Sequence, residues 1–466
     1  MTQKTKKYHY AWLILITCCM MQGSGLGLIS NCAGVFYSPV SQDLGVELGR
    51  FSFYRTLATM SQALVIPFVA KAFRKYDVRM LVTTATIVMG GSNIMMSTFH
   101  ELWQFYLFGT LQGCAAAFIG MIPSPILLGN WFYKSTGTAV GISAACAGLV
   151  GMLGSSALGT LIPMLGWRTC YMIIGTAMIA LILPFSIFIL RYKPEDLGML
   201  PYGADESYVP IKPSKGAAKK ESLGHFIKQP LFLISLTAYT CSVISSFLNQ
   251  YLPSIGQYIG MGLATAATLT SLALFTNMTT KLFLGKLCDS FGTIKMFLLS
   301  TLIALLGHIL IFIGLTPTLT AGSFIYGITM PLSTVMMPLF CRLFWAGDTY
   351  ASGYSYVSMF GLLISAPFIT VFGTMYDMTG NYSMTILTST AAILIVLIMV
   401  MISMPIIRKE SPYIILGRIF FMPLISCGPR TASYQQSPVQ NTQQIMQGYT
   451  VRMSSDNSPD FLRDHK

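Results

Sequence analysis

Charged side chains inside long apolar stretches are costly to bury and therefore mark candidate functional residues. The clearest is Lys281, in the apolar stretch 263–284, with Asn277 one helical turn before it. An ammonium group offers a positive charge and three hydrogen-bond donors, so this pair predicts a site for a negatively charged group. In the alternative interpretation Lys281 reaches the lipid headgroups, since only about 6 Å of helix rise separates it from Gly285. Asn277 could equally bond a neighbouring helix.

A second cation, Arg55, lies within the apolar stretch 51–72. We interpret it as an anchor at the membrane interface close to Arg50, with entry into a central site as the alternative. Other polar side chains inside apolar stretches are candidates for substrate contacts, although such residues more often serve helix packing. These candidates are Asn31, Gln112, Asn249, Gln250, Tyr326 and Tyr354.

The sequence has few residues or motifs that could transfer protons, bind nucleotide phosphates or act as nucleophiles. Acids lie in loops or at the ends of apolar stretches, as Asp289 and Asp377 do. Protons would therefore have to move with a substrate acid or on Lys281, and His308 is interpreted as a packed, neutral side chain. The sequence contains no G-x-x-x-x-G-K-[ST] loop, no H-E-x-x-H motif and no convincing nucleophile elbow. We expect no enzymatic activity, no metal and no cofactor.

Composition indicates a membrane protein. Of the 466 residues, 53% are hydrophobic and only 10% are charged, and the mean hydropathy is +0.63. A soluble domain carries roughly 25% charged residues. The net charge of +13 does not indicate nucleic-acid binding, because the charges fall in short segments between apolar runs. The ten cysteines include no C-x-x-C pair and predict neither disulfides nor a metal site.

Apolar runs of about 20 residues predict an all-α membrane protein with twelve transmembrane helices in two groups of six. A lysine-containing segment, 192–229, separates the groups and is predicted to be a cytoplasmic linker. The predicted spans are 10–37, 51–72, 80–98, 102–128, 137–163 and 168–191, then 230–251, 263–284, 295–315, 319–341, 353–375 and 383–406.

The basic residues predict an orientation for the two halves, 1–191 and 230–406. With the N-terminus in the cytoplasm, nearly all loop lysines and arginines fall on the inner side, as positive charge does in membrane proteins. The protein is then expected in the inner, or plasma, membrane, surrounded by lipid, with both termini cytoplasmic. The tail, 407–466, is predicted to be partly disordered, with 413–426 lying on the inner leaflet.

Two basic turns occupy equivalent places in the two halves. Residues 285–292 (GKLCDSFG) resemble the G-x-L-x-D-x-x-G loop of the major facilitator superfamily, and 70–79 reads as a degraded copy. The resemblance implies a duplicated fold with two six-helix pseudo-repeats and a substrate site near the midplane between them. It also implies that Gly285, Lys286, Asp289 and Gly292 gate the cytoplasmic side without binding substrate. The glycines would allow close helix approach, and the aspartate would pair with a helix end or a basic residue.

Further motifs resemble a narrower group. NWFYK (130–134), GWR (166–168), RYKPEDLG (191–198) and YDMTGNY (376–382) together resemble the monocarboxylate transporter and oxalate/formate antiporter families over residues 10–406. In those families an arginine at the place of Lys281 binds the substrate carboxylate. Monocarboxylate transporters often carry an aspartate at the place of Asn277 that takes part in proton coupling, which an asparagine cannot do.

The same resemblance predicts where further cationic side chains of the substrate site would lie. Some monocarboxylate transporters carry a lysine at the place of Asn31, and the oxalate/formate antiporters carry one in the eleventh helix, where 353–375 contains none. A site whose only cation is Lys281 suits a monoanion better than a dicarboxylate.

The leading hypothesis is a secondary or facilitative transporter of small organic anions, chiefly monocarboxylates, that works by alternating access. Protons or a counter-transported anion would be its coupling partners. One alternative is an exporter of larger amphipathic compounds, whose permissive cavity the 30 methionines and 29 phenylalanines could line. The other is a transporter-like sensor, which would bind a ligand without net flux.

Overall fold

The computed structural model describes residues 9–120, 123–133, 135–204, 223–345 and 347–410, which form helices and one isolated β-bridge, Phe132–Tyr202. The first part of the chain forms helices α1 to α7. They are Ala11–Met21, Tyr37–Leu44, Leu48–Lys75, Val78–Met96, Leu102–Ile119, Pro123–Trp131 and Thr136–Pro184. A π-helical segment, Gln22–Asn31, and a 3-10 turn, Ala33–Phe36, join α1 to α2, and Phe185–Ile189 extends α7 as a π-helix.

The later part of the chain forms helices α8 to α18. They are Leu223–Ile227, Pro230–Ser246, Leu252–Tyr258, Leu263–Phe291, Thr293–Ile313, Thr316–Tyr326, Thr329–Pro331, Met337–Cys341, Gly347–Ser365, Pro367–Thr379 and Ser383–Glu410. A 3-10 turn, Phe247–Gln250, follows α9, and a π-helical turn, Leu332–Met336, joins α14 to α15.

Nine helical stretches in the described residues are long and apolar enough to cross a bilayer. One of them, Thr136–Ile189, covers two predicted spans and is interrupted at Gly166, whose φ of 79° and ψ of 155° are not helical. The other eight are Ala11–Leu44, Leu48–Lys75, Leu102–Trp131, Pro230–Gln250, Thr293–Ile313, Thr316–Cys341, Ser352–Thr379 and Ser383–Ile407. All nine coincide with predicted spans.

The helices α4 and α11 occupy the places of the two remaining predicted spans, 80–98 and 263–284. They have 19 and 29 residues and do not belong to the nine apolar stretches. The helix α11 carries the polar residues Asn277, Lys281 and Asp289. It therefore combines membrane-spanning length with the functional candidates.

The segment 285–292, predicted as a loop, is the last part of α11, and only Gly292 separates α11 from α12. Gly292 adopts a φ of 91°, which explains why glycine is needed there. A Cβ atom on Gly285 would meet nothing within 4 Å, so this glycine does not permit a close helix contact. Lys286 and Asp289 are exposed, and among the described residues neither forms an ion pair.

Residues of the first and second halves meet closely along α7 and α11. A Cβ atom on Gly159 would lie 2.5 Å from the Cβ of Ala267, so α7 and α11 approach closely because this position lacks a side chain. The Ser155 hydroxyl donates to the Ala267 carbonyl at 3.0 Å, which adds a hydrogen bond to this contact.

A second contact between the halves joins the end of α17 to the start of α3. The Asp377 carboxylate accepts hydrogen bonds from the backbone N–H groups of Leu48 at 3.0 Å and Gly49 at 2.7 Å. Those N–H groups lack partners inside α3, and the positive end of the helix favours a carboxylate there. On the next turns of α3, the Thr56 hydroxyl donates to the Ala366 carbonyl at 3.0 Å. These bonds hold one end of the cleft between the halves closed.

Replacing Asp377 with asparagine is expected to loosen this closed end. A neutral amide retains one acceptor oxygen but loses the charge-assisted bonds, which contribute roughly 1.5–3 kcal/mol each. Hydrogen exchange at the amides of Leu48 and Gly49 should therefore be at least about tenfold faster in purified full-length Asp377→Asn protein. The matched control is Asp289→Asn, because Asp289 is exposed. Equal protection in Asp377→Asn and wild type would contradict this assignment.

The start of the linker is anchored to the first half. Tyr202 forms the β-bridge with Phe132, the Trp131 indole donates to the Arg191 carbonyl at 3.0 Å, and Asn130 donates to the Tyr192 carbonyl at 3.0 Å. Residues 205–222 of the linker and 411–466 of the tail, including the proposed interfacial segment 413–426, lie outside the described residues. The helix α18 extends four residues beyond the predicted span, to Glu410.

Candidate functional site

A cavity of about 270 Å³ lies between the two halves of the chain. Its walls come from the π-helical segment Gln22–Asn31 and from α3 and α5 on one side, and from α9, α11, α16 and the region around Ser333 on the other. The cavity brings together most of the predicted site residues: Asn31, Arg55, Asn249, Gln250, Asn277, Lys281 and Tyr354.

Lys281 lines the cavity, which favours a role in binding over a contact with the lipid headgroups. Among the described residues it forms no ion pair and no hydrogen bond. Asn277, one turn earlier on α11, is only 2% exposed, and its Oδ1 atom has no hydrogen-bond partner. The ammonium and amide groups on this helical face could therefore bind a ligand. A buried polar group without a hydrogen-bond partner costs free energy, and a bound ligand would reduce that cost.

Arg55 lines the same cavity and is only 8% exposed, which corrects its interpretation as an interface anchor. The helix α3 begins at Leu48, so Arg55 lies about two turns inside it, roughly 10 Å along the axis. Arg50 is the exposed residue and pairs with Glu47 at 3.0 Å. The Arg55 Nη1 donates to Gln112 Oε1 at 3.1 Å, while its Nε has no partner. Among the described residues, two cations therefore line the cavity.

Gln112 and Tyr326 do not line the cavity and instead support residues that do. Gln112 holds the Arg55 guanidinium. The Tyr326 hydroxyl accepts from the backbone N–H of Asn249 at 3.0 Å and donates to the Ser245 carbonyl at 2.9 Å. Tyr326 thereby fixes the turn that presents Asn249 to the cavity.

Asn249 and Gln250 lie on the 3-10 turn after α9, where the chain leaves regular helix. Asn249 is buried, and its Oδ1 has no hydrogen-bond partner. Gln250 Oε1 accepts a hydrogen bond from the Tyr37 hydroxyl of the first half. The turn therefore both lines the cavity and joins the halves.

Several wall residues were not singled out from the sequence. Tyr239 forms an edge-to-face pair with Tyr354, with 6.4 Å between ring centroids. The other polar wall residues are Ser30, Thr59, Gln62, Ser246, Ser333, Thr334 and Ser358. Hydroxyl side chains are common in membrane helices, where they bond back to their own backbone, so type and spacing alone do not reveal them.

No Asp or Glu lines the cavity within the part of the chain that the structure describes. The polar groups around the two cations are amides and hydroxyls, which can donate hydrogen bonds to an anion without adding negative charge. His308 lies outside the cavity, buried against Ser245 and Ser389 at 2.8 and 3.0 Å, so it is the packed histidine that the sequence predicts. The cavity is electrostatically suited to a negatively charged ligand.

The sequence pattern of the Major Facilitator Superfamily matches residues 13–368, more than half of the chain. The chain belongs to the major facilitator superfamily. As a member of this superfamily it is a multi-pass membrane protein of a transporter family. The narrower resemblance to monocarboxylate transporters and oxalate/formate antiporters remains a prediction.

Curated relatives of this superfamily member are distant. A multi-drug resistance efflux pump PmrA homolog of Lactococcus lactis is 24% identical over 349 residues, 72% of this chain and 76% of its own. An MFS-type transporter of Gibberella moniliformis is 20% identical over 288 residues, 61% of this chain. This chain spans only 62% of the length of that transporter.

Solved structures agree with the fold. A bacterial homolog of the human lysosomal transporter Spinster, inward-facing and unoccupied, has a TM-score of 0.61 at 14% identity, over 87% of this chain and 98% of its own. A mutant of the nucleoside transporter NupG has a TM-score of 0.65 at 13% identity, over 85% of this chain and 100% of its own. At these identities the likeness concerns the fold alone.

Proposed function

We propose that this protein is a secondary transporter of small organic anions, with Lys281 as the primary binding group for a carboxylate. The observation that supports the proposal is that Lys281 lines a cavity between the halves and has no ion-pair partner among the described residues. Bringing an anion out of water is costly, and a cation that is already partly desolvated offsets that cost. Asn277 would orient the bound carboxylate.

The proposed architecture has twelve spans in two six-helix halves. The nine apolar stretches, the division of one of them at Gly166, and the long helices α4 and α11 are consistent with this number. We propose the inner or plasma membrane as the location, with cytoplasmic termini, from the distribution of basic residues. In that orientation, the contact of Asp377 with α3 closes the outer side.

Transport would proceed by alternating access. The contact of Asp377 with α3 and the hydrogen bond between Tyr37 and Gln250 would break as the cavity opens to the other side. Because the described cavity wall has no carboxylate, coupling would use the substrate's own proton, Lys281 or an exchanged anion.

The preference for monocarboxylates predicted from the sequence assumed that Arg55 lay outside the site. With Arg55 in the cavity, the proposal covers small anions with one or two carboxylates. The volume of about 270 Å³ is at the lower limit of ligand pockets, which span roughly 300–1,000 Å³, and suits a small substrate.

Export of amphipathic compounds is the second candidate, because one relative bears the name of a multi-drug efflux pump. The two proposals differ in charge preference, since the cations of the cavity repel lipophilic cations.

The test of the proposal is uptake of radiolabelled formate, lactate, propionate and malonate into proteoliposomes that contain the full-length protein. We expect saturable uptake of at least one acid, inhibited by the other acids and unaffected by tetraphenylphosphonium. Empty liposomes provide the control. Protein-dependent transport of labelled tetraphenylphosphonium, without uptake of any of the four acids, would favour efflux and contradict the proposal.

A further inference from the structure

We propose that the preferred substrate carries two anionic groups, as a short dicarboxylate does, with one carboxylate on Lys281 and the other on Arg55. The inference deepens the proposed function and rests on it. Lys281 lies on α11 in the second half and Arg55 on α3 in the first, yet both line one small cavity. A ligand in this cavity therefore meets one cation from each half.

The hydrogen bonds of Arg55 leave most of its binding capacity unused. A guanidinium has five N–H donors, and here the Nη1 atom donates to the neutral oxygen of Gln112. The Nε atom is buried and has no partner. A planar guanidinium held at one corner by a neutral amide presents its remaining donors in the fork that a carboxylate accepts. Gln112 thus positions Arg55 without neutralising it.

The charge balance of the cavity points to the same conclusion. Within the described residues its wall contains two cations and no acid. A monoanion would neutralise one of them and leave the other charge in a poorly solvated site, whereas a dianion would neutralise both. The amides of Asn249 and Asn277 lie in the same wall, and the Nδ2 group of an amide can donate hydrogen bonds to a carboxylate.

Placing the two cations on different halves links binding to movement. A dicarboxylate that pairs with both would draw α3 and α11 together, and so would favour closure of the cavity around it. A monocarboxylate, held at one cation, would exert this effect on only one half. The second carboxylate would therefore increase transport efficiency as well as affinity.

The test compares malonate with propionate, a dicarboxylate and a monocarboxylate of equal carbon number, in proteoliposomes of the full-length protein. The wild type should have at least about tenfold tighter half-saturation for malonate, since a hydrogen bond to a charged group typically provides such a factor. The readout is the ratio of the two half-saturation constants. In Arg55→Gln this ratio should fall to near one, and Arg55→Lys should restore part of it. Arg50→Gln, which changes an exposed arginine on the same helix, should leave it unchanged.

A second variant protects the test against misfolding of Arg55→Gln. In Gln112→Glu the guanidinium remains and gains a carboxylate partner within the protein, so the preference for malonate should disappear although Arg55 is intact. An unchanged ratio in both Arg55→Gln and Gln112→Glu, or a wild type that prefers propionate, would overturn the inference.

The outcomes separate this inference from the proposed function. If Lys281→Gln abolishes uptake of both acids while Arg55→Gln leaves their ratio unchanged, only the assignment of the second carboxylate fails. If wild type transports neither acid, or if Lys281→Gln transports both normally, the proposed function fails and the inference fails with it.

Discussion

Replacing Lys281 with glutamine is expected to reduce the initial rate of organic-anion uptake about 100-fold or more. Glutamine removes the charge and keeps a side chain of similar length, so the substrate carboxylate would enter the cavity without its main counter-charge. Leaving one member of a buried ion pair without a partner costs roughly 3–5 kcal/mol, which corresponds to such a loss. The measurement is uptake of labelled carboxylates into proteoliposomes, normalised to the amount of reconstituted protein.

Two variants serve as controls for Lys281→Gln. Lys281→Arg keeps the positive charge and should retain a measurable part of the uptake. If the role of Lys281 were purely steric, arginine would not be expected to support more uptake than glutamine. Lys295→Gln removes an exposed lysine on the following helix, α12, and should transport like the wild type. Normal uptake by Lys281→Gln at normal expression would refute the role of Lys281.

Replacing Gly34 with valine is expected to reduce the rate of transport at least about tenfold. The valine side chain would keep the two halves from meeting at the end of the cleft where Asp377 bonds to α3. A Cβ atom on Gly34 would lie 1.9 Å from the carbonyl oxygen of Gln250, a backbone atom that cannot move aside as a flexible side chain can. Overpacking of this kind costs typically about 1–3 kcal/mol, and here the cost applies only when the two halves meet. The closed state should therefore become less populated while each half stays folded.

The matched control for Gly34→Val is Gly91→Val, since a Cβ atom on Gly91 would meet nothing within 4 Å. Transport is measured in proteoliposomes, and closure is measured by hydrogen exchange of the segment Phe247–Gln250 in the purified protein. We expect slow transport and faster exchange in Gly34→Val, with neither change in Gly91→Val. Transport by Gly34→Val at the wild-type rate would show that this contact is not part of the cycle.

The membrane-spanning stretches could be predicted from the sequence because lipid imposes long apolar runs. The break at Gly166 was also predictable, since Gly166–Trp167–Arg168 places a flexible residue and a charge between two such runs. Arg168, just after the break, pairs with Asp43 at 2.6 Å. Lys281 was recognisable for the same reason, because a charge inside an apolar run has few packing explanations.

The place of Arg55 could not be read from the sequence. Its proximity to Arg50 and to the predicted start of the span at 51 favoured an interface position, but α3 begins at Leu48 and carries Arg55 deeper. The segment 285–292 was read as a loop because it is rich in polar residues and glycine, yet every residue before Gly292 is compatible with helix. The role of Tyr326 in fixing the turn at Asn249 depends on hydrogen bonds to residues 77 and 81 positions away, which the sequence does not reveal.

The most direct test of the central claim is equilibrium binding of radiolabelled malonate and propionate to purified full-length protein, compared between wild type and Lys281→Gln. Equilibrium binding does not require translocation and does not depend on the rate of conformational change, so at one fixed pH and salt concentration it isolates the contact between Lys281 and a carboxylate. We predict saturable binding of at least one acid to the wild type, weakened by added salt, and a loss of about 100-fold or more in affinity in Lys281→Gln. Equal affinity in the two proteins would contradict the account.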